Sequence, residues 1–560
     1  MVFLPRFWGG LPFPPDYLLE LSRDLNMGDE PIVPPPTETY KRFYSEPGPA
    51  RASSPDVHRL VNSAPTPISP KFDELAMGGV DDLLVKTALL KVLQDKTDVN
   101  YDVVKFVQHI LKFTPNDIPD RISGYTLDEE NCKAYSKRTY HKSDTPQQQR
   151  FEGERACCKA FQNIVWDLAR QLHPQALDNR SFPASLKFLH EQFVQGNFAT
   201  YKPDFAYYIP DGSKEPRWEF IGGCGELKKA RLNDFQPGHA VSMLKIQKLR
   251  DEWATPKPQA GTVHKKATPE RRKPTPPTKP MTRAASKRKA TAEAGIHITK
   301  KVKTGNAVRP VSVPQTRPLV KFTKSEIQMA KYINELLSHG IRSYAFGFLV
   351  QETRMSLWYV DRMGMATSQS FDIFLDPELF VLVVAALYSA NRHNLGTIPL
   401  VKYPDGPSFP YDNAILDLPR AIDSEGARID EPLSFPLRVI PGVSEVVVAY
   451  GAIGRGTTVV PITANGRARA LFGKDKLVAK LYWPSVNRRS ETEIIRAVRR
   501  KLGKHKKAKA YLKNIVDLKC SLDMSAAEAG LPRAFMELSE PYEPRLLRVL
   551  IMKEYLPLDQ

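Results

Sequence analysis

Apolar positions beyond about Val80 recur with a helical period. Leu83, Leu84, Ala88, Leu89, Val92 and Leu93 share one stripe, residues 101–113 repeat the habit, and residues 155–172 carry Phe161, Val165, Leu168 and Leu172 on a third such face. That spacing predicts amphipathic helices. The period changes to two at residues 205–209 and 218–228, which predicts strands joined by the turn Pro210-Asp211-Gly212-Ser213. After a long polar interval, Ser325 is placed to cap a helix over residues 327–337. Strands are expected at 343–350, 357–361 and 369–374, and an apolar helix at 377–390. The longest apolar run, residues 379–388, is about half the roughly 20 residues of a membrane span, so it reads as a buried element. Residues 400–440 are proline-rich and read as loops. Beyond them the pattern predicts strands at 446–448, 477–483 and 545–556, with a helix over 490–502.

The intervals between patterned segments set the organisation. Residues 1–78 are rich in Pro and Ser (Pro34-Pro35-Pro36, Ser53-Ser54-Pro55), and residues 254–320 hold ten prolines with almost no apolar periodicity. Such composition cannot bury enough apolar surface to offset chain ordering, so both read as disordered. The expected division is a leader (1–78), a helical and α/β region (79–253), a basic linker insert (254–320), the continuation of the α/β domain (321–440) and a final lobe (441–560). The fold class is α+β. The start lacks a basic segment followed by an apolar run and a small-residue cleavage site, which argues against secretion. Five cysteines show neither metal spacing nor a disulfide framework, which points to a reducing, intracellular compartment. The net charge is +19, of which residues 254–320 carry +14 (sixteen Lys and Arg against Glu270 and Glu293). The total therefore implies no basic groove in the folded parts.

Chemistry-bearing residues concentrate in the last lobe. Gly451, Gly454 and Gly456 form a turn before Val459, and glycines there let the backbone approach phosphates; an ordinary turn between strands is the plainer reading. In Leu477-Val478-Ala479-Lys480-Leu481-Tyr482-Trp483, alternation puts Leu477, Ala479 and Leu481 on one face and Lys480 on the other. A lysine in an apolar strand costs desolvation unless it meets an anion, although it could also snorkel from an edge. In the following helix Glu491, Ile495, Val498 and Leu502 share a face and Glu493 points to solvent. Glu491 is therefore the carboxylate for Lys480, or a helix-start acid that only favours the dipole. A buried strand with Arg548-Val549-Leu550-Ile551-Met552-Lys553-Glu554-Tyr555-Leu556-Pro557 comes last.

That order of glycine turn, Val-Ala-Lys, Ser-Glu-Thr-Glu-Ile-Ile and Val-Leu-Ile-Met-Lys-Glu-Tyr-Leu-Pro resembles the N-terminal lobe of the fungal-type protein kinase family. The resemblance implies a kinase-like lobe of antiparallel sheet plus one helix, and ATP with Mg²⁺. It implies that Gly454 and Gly456 cover phosphates, with Val459 where the third loop glycine is usual. Lys480 would contact the α/β-phosphates, Glu491 would orient it, and Met552, Glu554 and Leu556 would meet adenine. The sequence contains no His-Arg-Asp loop, Asp-Phe-Gly or Ala-Pro-Glu, so no catalytic set is complete. The expectation is a chain that does not transfer phosphate: a fragment, a truncated gene model or a pseudokinase-like binding module.

A second constellation precedes the insert. Asp204 follows Pro203, and Glu226 and Lys228 share one strand face while Leu227 points inward. An aspartate and a glutamate converging at strand ends can hold Mg²⁺, with a lysine to stabilise an activated water. The spacing is similar to the PD-(D/E)xK nuclease-like superfamily, whose Gln-x-x-x-Tyr is matched by Gln328 and Tyr332, and Glu154 offers a further acid. Turn chemistry at Pro203-Asp204 is the plainer alternative, and a non-catalytic nuclear interaction protein is the third. In the insert, Lys287-Arg288-Lys289 and Lys300-Lys301-Val302-Lys303 have the form of a bipartite nuclear-import signal. They would meet an import receptor or nucleic-acid phosphates, which makes the expected location nuclear. Thr255, Thr268 and Thr275, each before proline, are phosphorylation candidates that would lower this charge.

Overall fold

The computed structural model describes residues 89–555, apart from 91–92, 95, 137–145, 175–184, 190–191, 197–199, 209–216, 229–239, 256–319, 405–410, 441–444 and 539–541. The leader, the basic insert with its import-like clusters, most of the 83–93 stripe, the 210–213 turn and Leu556 lie outside these residues. The described residues on either side of the insert belong to one compact unit.

In chain order the principal elements of the first half are β1 (Thr97–Tyr101), α1 (Val103–Leu111), α2 (Glu129–Ser136), α3 (Pro146–Leu172), β2 (Ser185–Phe188), β3 (Phe205–Tyr208), β4 (Ile221–Lys228), α4 (Met243–Ala254), α5 (Lys324–Ser338), β5 (Tyr344–Gln351), β6 (Arg354–Asp361), β7 (Met365–Ser368), β8 (Phe371–Asp372) and α6 (Pro377–Ser389). The front sheet runs β1-β7-β6-β5-β4-β3-β2, with β8 on β6. The pairs β4–β5 and β1–β7 are parallel and the rest antiparallel. Every residue of β4 except Lys228 is buried, because helices cover both faces of this central strand, as parallel pairs require. Alternation sorts the faces. Phe205, Leu227, Phe348 and Leu357 pack with Phe106, Phe161 and Phe380 of α1, α3 and α6. Cys224, Leu349, Trp358 and Val360 pack with Met329, Ile333 and Leu336 of α5.

Helix α5 starts earlier than the expected Ser325. Thr323 is its cap and forms a capping box with Glu326, which satisfies two backbone donors at once. Residues 369–374 form a two-residue strand and a turn rather than one strand, since Asp372 accepts the amides of Phe374 and Leu375. All five cysteines are buried and none is in a disulfide.

The second half contains β9 (Val401–Lys402), β10 (Ile415–Leu418), β11 (Ala421–Asp423), β12 (Arg428–Ile429), β13 (Leu433–Pro436), β14 (Val447–Val448), β15 (Thr458–Ile462), α7 (Gly466–Phe472), β16 (Leu477–Tyr482), α8 (Glu491–Lys504), β17 (Leu518–Met524) and β18 (Leu547–Lys553). The stretch read as loops thus holds short strands, with β9-β10-β13 forming a sheet of their own. A seven-stranded antiparallel sheet follows, in the order β12-β11-β17-β18-β16-β15-β14. Its first two strands come from before residue 441, and between its strands β15 and β16 the chain forms α7, whose Phe472 stacks on Phe435 of β13. Leu477, Ala479 and Leu481 of β16 face the large core, while Tyr482, Leu518 and Leu550 pack against Ile495 of α8. The apolar run 379–388 is a buried helix. Among the described residues no helix is long and apolar enough to cross a membrane.

The two sheets interlock. Arg533 and Asp361 form an ion pair at 2.7 Å with side-chain exposures of 1% and 0%. Asp361 also accepts from the Tyr359 hydroxyl and the amides of Met363 and Gly364, so this buried carboxylate is fully satisfied.

Candidate functional site

The C-terminal constellation is built on a strand and a helix. β16 lies between β15 and β18, which fixes Lys480 at mid-sheet on the face opposite Leu477, Ala479 and Leu481. Helix α8 begins at Glu491 and buries Ile495, Val498 and Leu502 along one face; Glu493 is exposed. The Lys480 ammonium donates to both Glu491 oxygens, at 2.9 Å to Oε1 and 2.7 Å to Oε2. The lysine side chain is 5% exposed and the glutamate 19%. Lys480 also sits 4.8 Å from the Tyr482 ring centroid. Burial pulls the Lys480 pKa down, Glu491 opposes that shift, and the half-buried Arg455 adds to it. The lysine is therefore a desolvated cation balanced by one carboxylate.

The glycine segment is placed less openly than its sequence suggests. Gly454 and Gly456 are buried, and Ala452 and Ile453 belong to the core on the α5 side of the front sheet. Arg362, in the turn after β6, enters this segment. Its guanidinium donates to the carbonyls of Gly451 and Leu337, its own carbonyl accepts the Gly454 amide at 2.9 Å, and a Cβ at Gly456 would collide with its Nε. Gly456 has a φ of 49°, so both conformation and space require glycine there. A phosphate cradle turns amides toward an anion; here a loop carbonyl is turned toward a cation. Nothing in the local sequence announces Arg362, which lies 89 residues before Gly451. Val459 pairs with Lys480 across β15–β16. Met552 lies on β18, and Glu554 just past it donates its amide to Lys476 and pairs with Arg438 at 2.6 Å.

The front constellation also converges. The Leu227 amide donates to Asp204 Oδ2 at 2.9 Å, which ties the start of β3 to the end of β4. Glu226 is fully buried and its carboxylate meets the Lys228 ammonium. Burial and the nearby Asp204 charge push the Glu226 pKa up to about 8, against the opposing pull of Lys228. On α5, Gln328 donates to the Tyr332 hydroxyl at 2.6 Å, and that hydroxyl donates to the Lys202 carbonyl at 2.9 Å. The structure thus brings Asp204, Glu226, Lys228, Gln328 and Tyr332 to one end of β3 and β4. Glu154 lies on α3, but its side chain is outside the described residues. No cluster of three or more His, Cys, Asp or Glu with metal-binding geometry occurs among the described residues.

A mixed α+β chain with a strand lysine paired to a helix glutamate is compatible with a kinase-like fold. Residues 297–527 match the family model for the fungal protein kinase, and over this stretch the chain is similar to that family. The match takes in α5, strands β5 to β8 of the front sheet, Lys480 and Glu491; Asp204, Glu226 and Lys228 precede it, and β18 follows it. No curated protein matches the chain.

Proposed function

We propose that the C-terminal lobe is the nucleotide-holding part of a fungal-type protein kinase, with ATP and Mg²⁺ as the phosphate donor. The reading rests on the Lys480–Glu491 pair. A bidentate contact at 2.7 and 2.9 Å holds a 5%-exposed ammonium in one place. Lys480 and Glu491 fit a nucleotide, the lysine for the α/β-phosphates and the glutamate to hold it there. The glycine segment fits only after Arg362 leaves it, because its Gly451 carbonyl faces that cation. ATP supplies the transferable phosphoryl group when bound; the work of this chain is to orient and neutralise the phosphates. Calorimetric titration with ATP and Mg²⁺ tests the reading. The wild-type chain is expected to bind, and Lys480→Met to lose at least about ten-fold in affinity. Equal affinities for the two proteins would remove it.

A second reading is favoured by the front constellation, where a buried glutamate is held near an aspartate and a lysine. That reading is a Mg²⁺-dependent, PD-(D/E)xK-type nucleic-acid-cleaving domain, with Asp204 and Glu226 on the metal and Lys228 beside the attacking water. Incubation of DNA and RNA with Mn²⁺ checks it: cleavage by wild type and none by Asp204→Ala is the expected result, and intact nucleic acid with both proteins ends this reading. The basic insert suits nuclear import, and a reporter fused to residues 254–320 should enter the nucleus; one that stays cytoplasmic refutes that role.

A further inference from the structure

Residues 488–513 contain eleven Lys and Arg against only Glu491 and Glu493, a net of +9 in 26 residues. The chain outside the insert totals only +5, so this one stretch exceeds the positive charge of everything else there taken together. The folded part does carry a concentrated basic surface, which the whole-chain sum conceals.

Its placement separates two kinds of cation. Arg496 and Arg499 reach inward: the first donates to the Asp423 carbonyl at 2.6 Å, the second to the carbonyls of Ile515 and Val516 at 3.1 Å. Arg500, Lys504, Lys506, Lys507, Lys509 and Lys513 are exposed and have no carboxylate partner among the described residues. Arg500 and Lys504 are one helical turn apart on α8, and the other four follow on the turn and 3₁₀ segment beyond it. Val498, Leu502 and Ala508 form a small core beneath them, joined by Ile494, Tyr511, Leu512 and Ile515. These cations therefore stand on a packed support, and their mutual repulsion persists without a local anion to relieve it.

We infer that this ridge, from α8 through Lys513, docks the phosphate backbone of a nucleic acid. Two observations select that partner over an acidic protein segment. No large apolar side chain between Arg488 and Lys513 is exposed, whereas protein partners draw their affinity from buried aromatic and apolar anchors. From α8 onward the exposed cations are five lysines and one arginine, preceded by the exposed Arg488 and Arg489, and such a line suits a repeating row of phosphates. The inference does not depend on nucleotide binding at Lys480, because Arg500 and Lys504 lie on the opposite face of α8 from Glu491 and the other four cations lie beyond the helix.

Fluorescence anisotropy of the full chain with labelled duplex DNA and with single-stranded RNA, over a series of salt concentrations, tests it. The variant combines Arg500→Gln, Lys504→Gln, Lys507→Gln and Lys513→Gln. Because the insert carries cations of its own, the measured quantity is the difference between variant and wild type. The expected result is weaker binding by at least about ten-fold at 0.1 M salt, and a salt slope shallower by roughly three units. Unchanged affinity and slope would overturn the proposal. Displacement by polyglutamate as effective, charge for charge, as unlabelled DNA or RNA would also overturn it, in favour of an acidic protein partner.

Discussion

Two lysine–glutamate pairs sit in the two halves of this molecule, and they are buried in opposite senses. In Glu226–Lys228 the carboxylate is the desolvated member, with a side-chain exposure of 1% against 31% for the lysine. In Lys480–Glu491 the lysine is the desolvated member, at 5% against 19%. The front pair arises from two residues of one strand that share a face, so Lys228 can still reach water while Glu226 cannot. The rear pair spans a sheet and a helix, and Glu491 keeps both water and a helix N-terminus. A contact between the same two residue types thus does different work: it strains the acid in one place and holds the base in the other.

The largest effect is expected from removing the partner of the deeper charge. Glu491→Ala leaves the Lys480 ammonium buried and uncompensated, a loss of roughly 3–5 kcal/mol. Lys480→Ala leaves a carboxylate that water can reach, a loss of roughly 1–3 kcal/mol. Urea denaturation of both variants checks the ordering, and a more damaging Lys480→Ala would contradict this account of burial.

The front pair should respond to pH instead. The folded Glu226 pKa of about 8 lies above its ordinary value of 4.5, so the folded state binds this proton more tightly than the unfolded chain does. The associated stability is fully present below about pH 4.5 and is lost as pH rises through 8. Melting temperatures in a chelating buffer should therefore fall between pH 5 and pH 9, and Glu226→Gln should flatten that fall. An identical pH dependence in the variant would show that Glu226 is not the titrating group.

A smaller effect isolates the helix that supports the front pair. Tyr332→Phe deletes the hydroxyl that links Gln328 to the Lys202 carbonyl, at a cost of about 1 kcal/mol. Chemical denaturation measures that loss. ATP affinity should not change, and a change of ten-fold or more would mean that the two constellations are coupled.

Much of the arrangement is legible along the chain. The i, i+4, i+7, i+11 spacing from Glu491 to Leu502 marks the face of α8 that meets the sheet, and alternation in β16 marks the side from which Lys480 projects. Glu226 and Lys228 share a face for the same reason. Other features left no local signal. Residues 400–440 look like loops because their strands are two to four residues long, too short for a period to show. Ser325 looks like a helix cap, yet Thr323 takes the role because Glu326 completes its capping box.

Local periodicity, being a property of neighbouring residues, determined which side chains share a strand or helix face: that Glu226 lies beside Lys228, and from which sides Lys480 and Glu491 project. Tertiary structure alone decided what fills the glycine segment and which cations remain unpaired. Arg362 reaches Gly451 only because the turn after β6 packs against the end of α5. Arg496 and Arg499 turn inward onto carbonyls while Arg500, Lys504, Lys506, Lys507, Lys509 and Lys513 stay exposed. Both outcomes depend on which atoms of distant segments come within hydrogen-bond reach, and spacing along the chain carries no record of that.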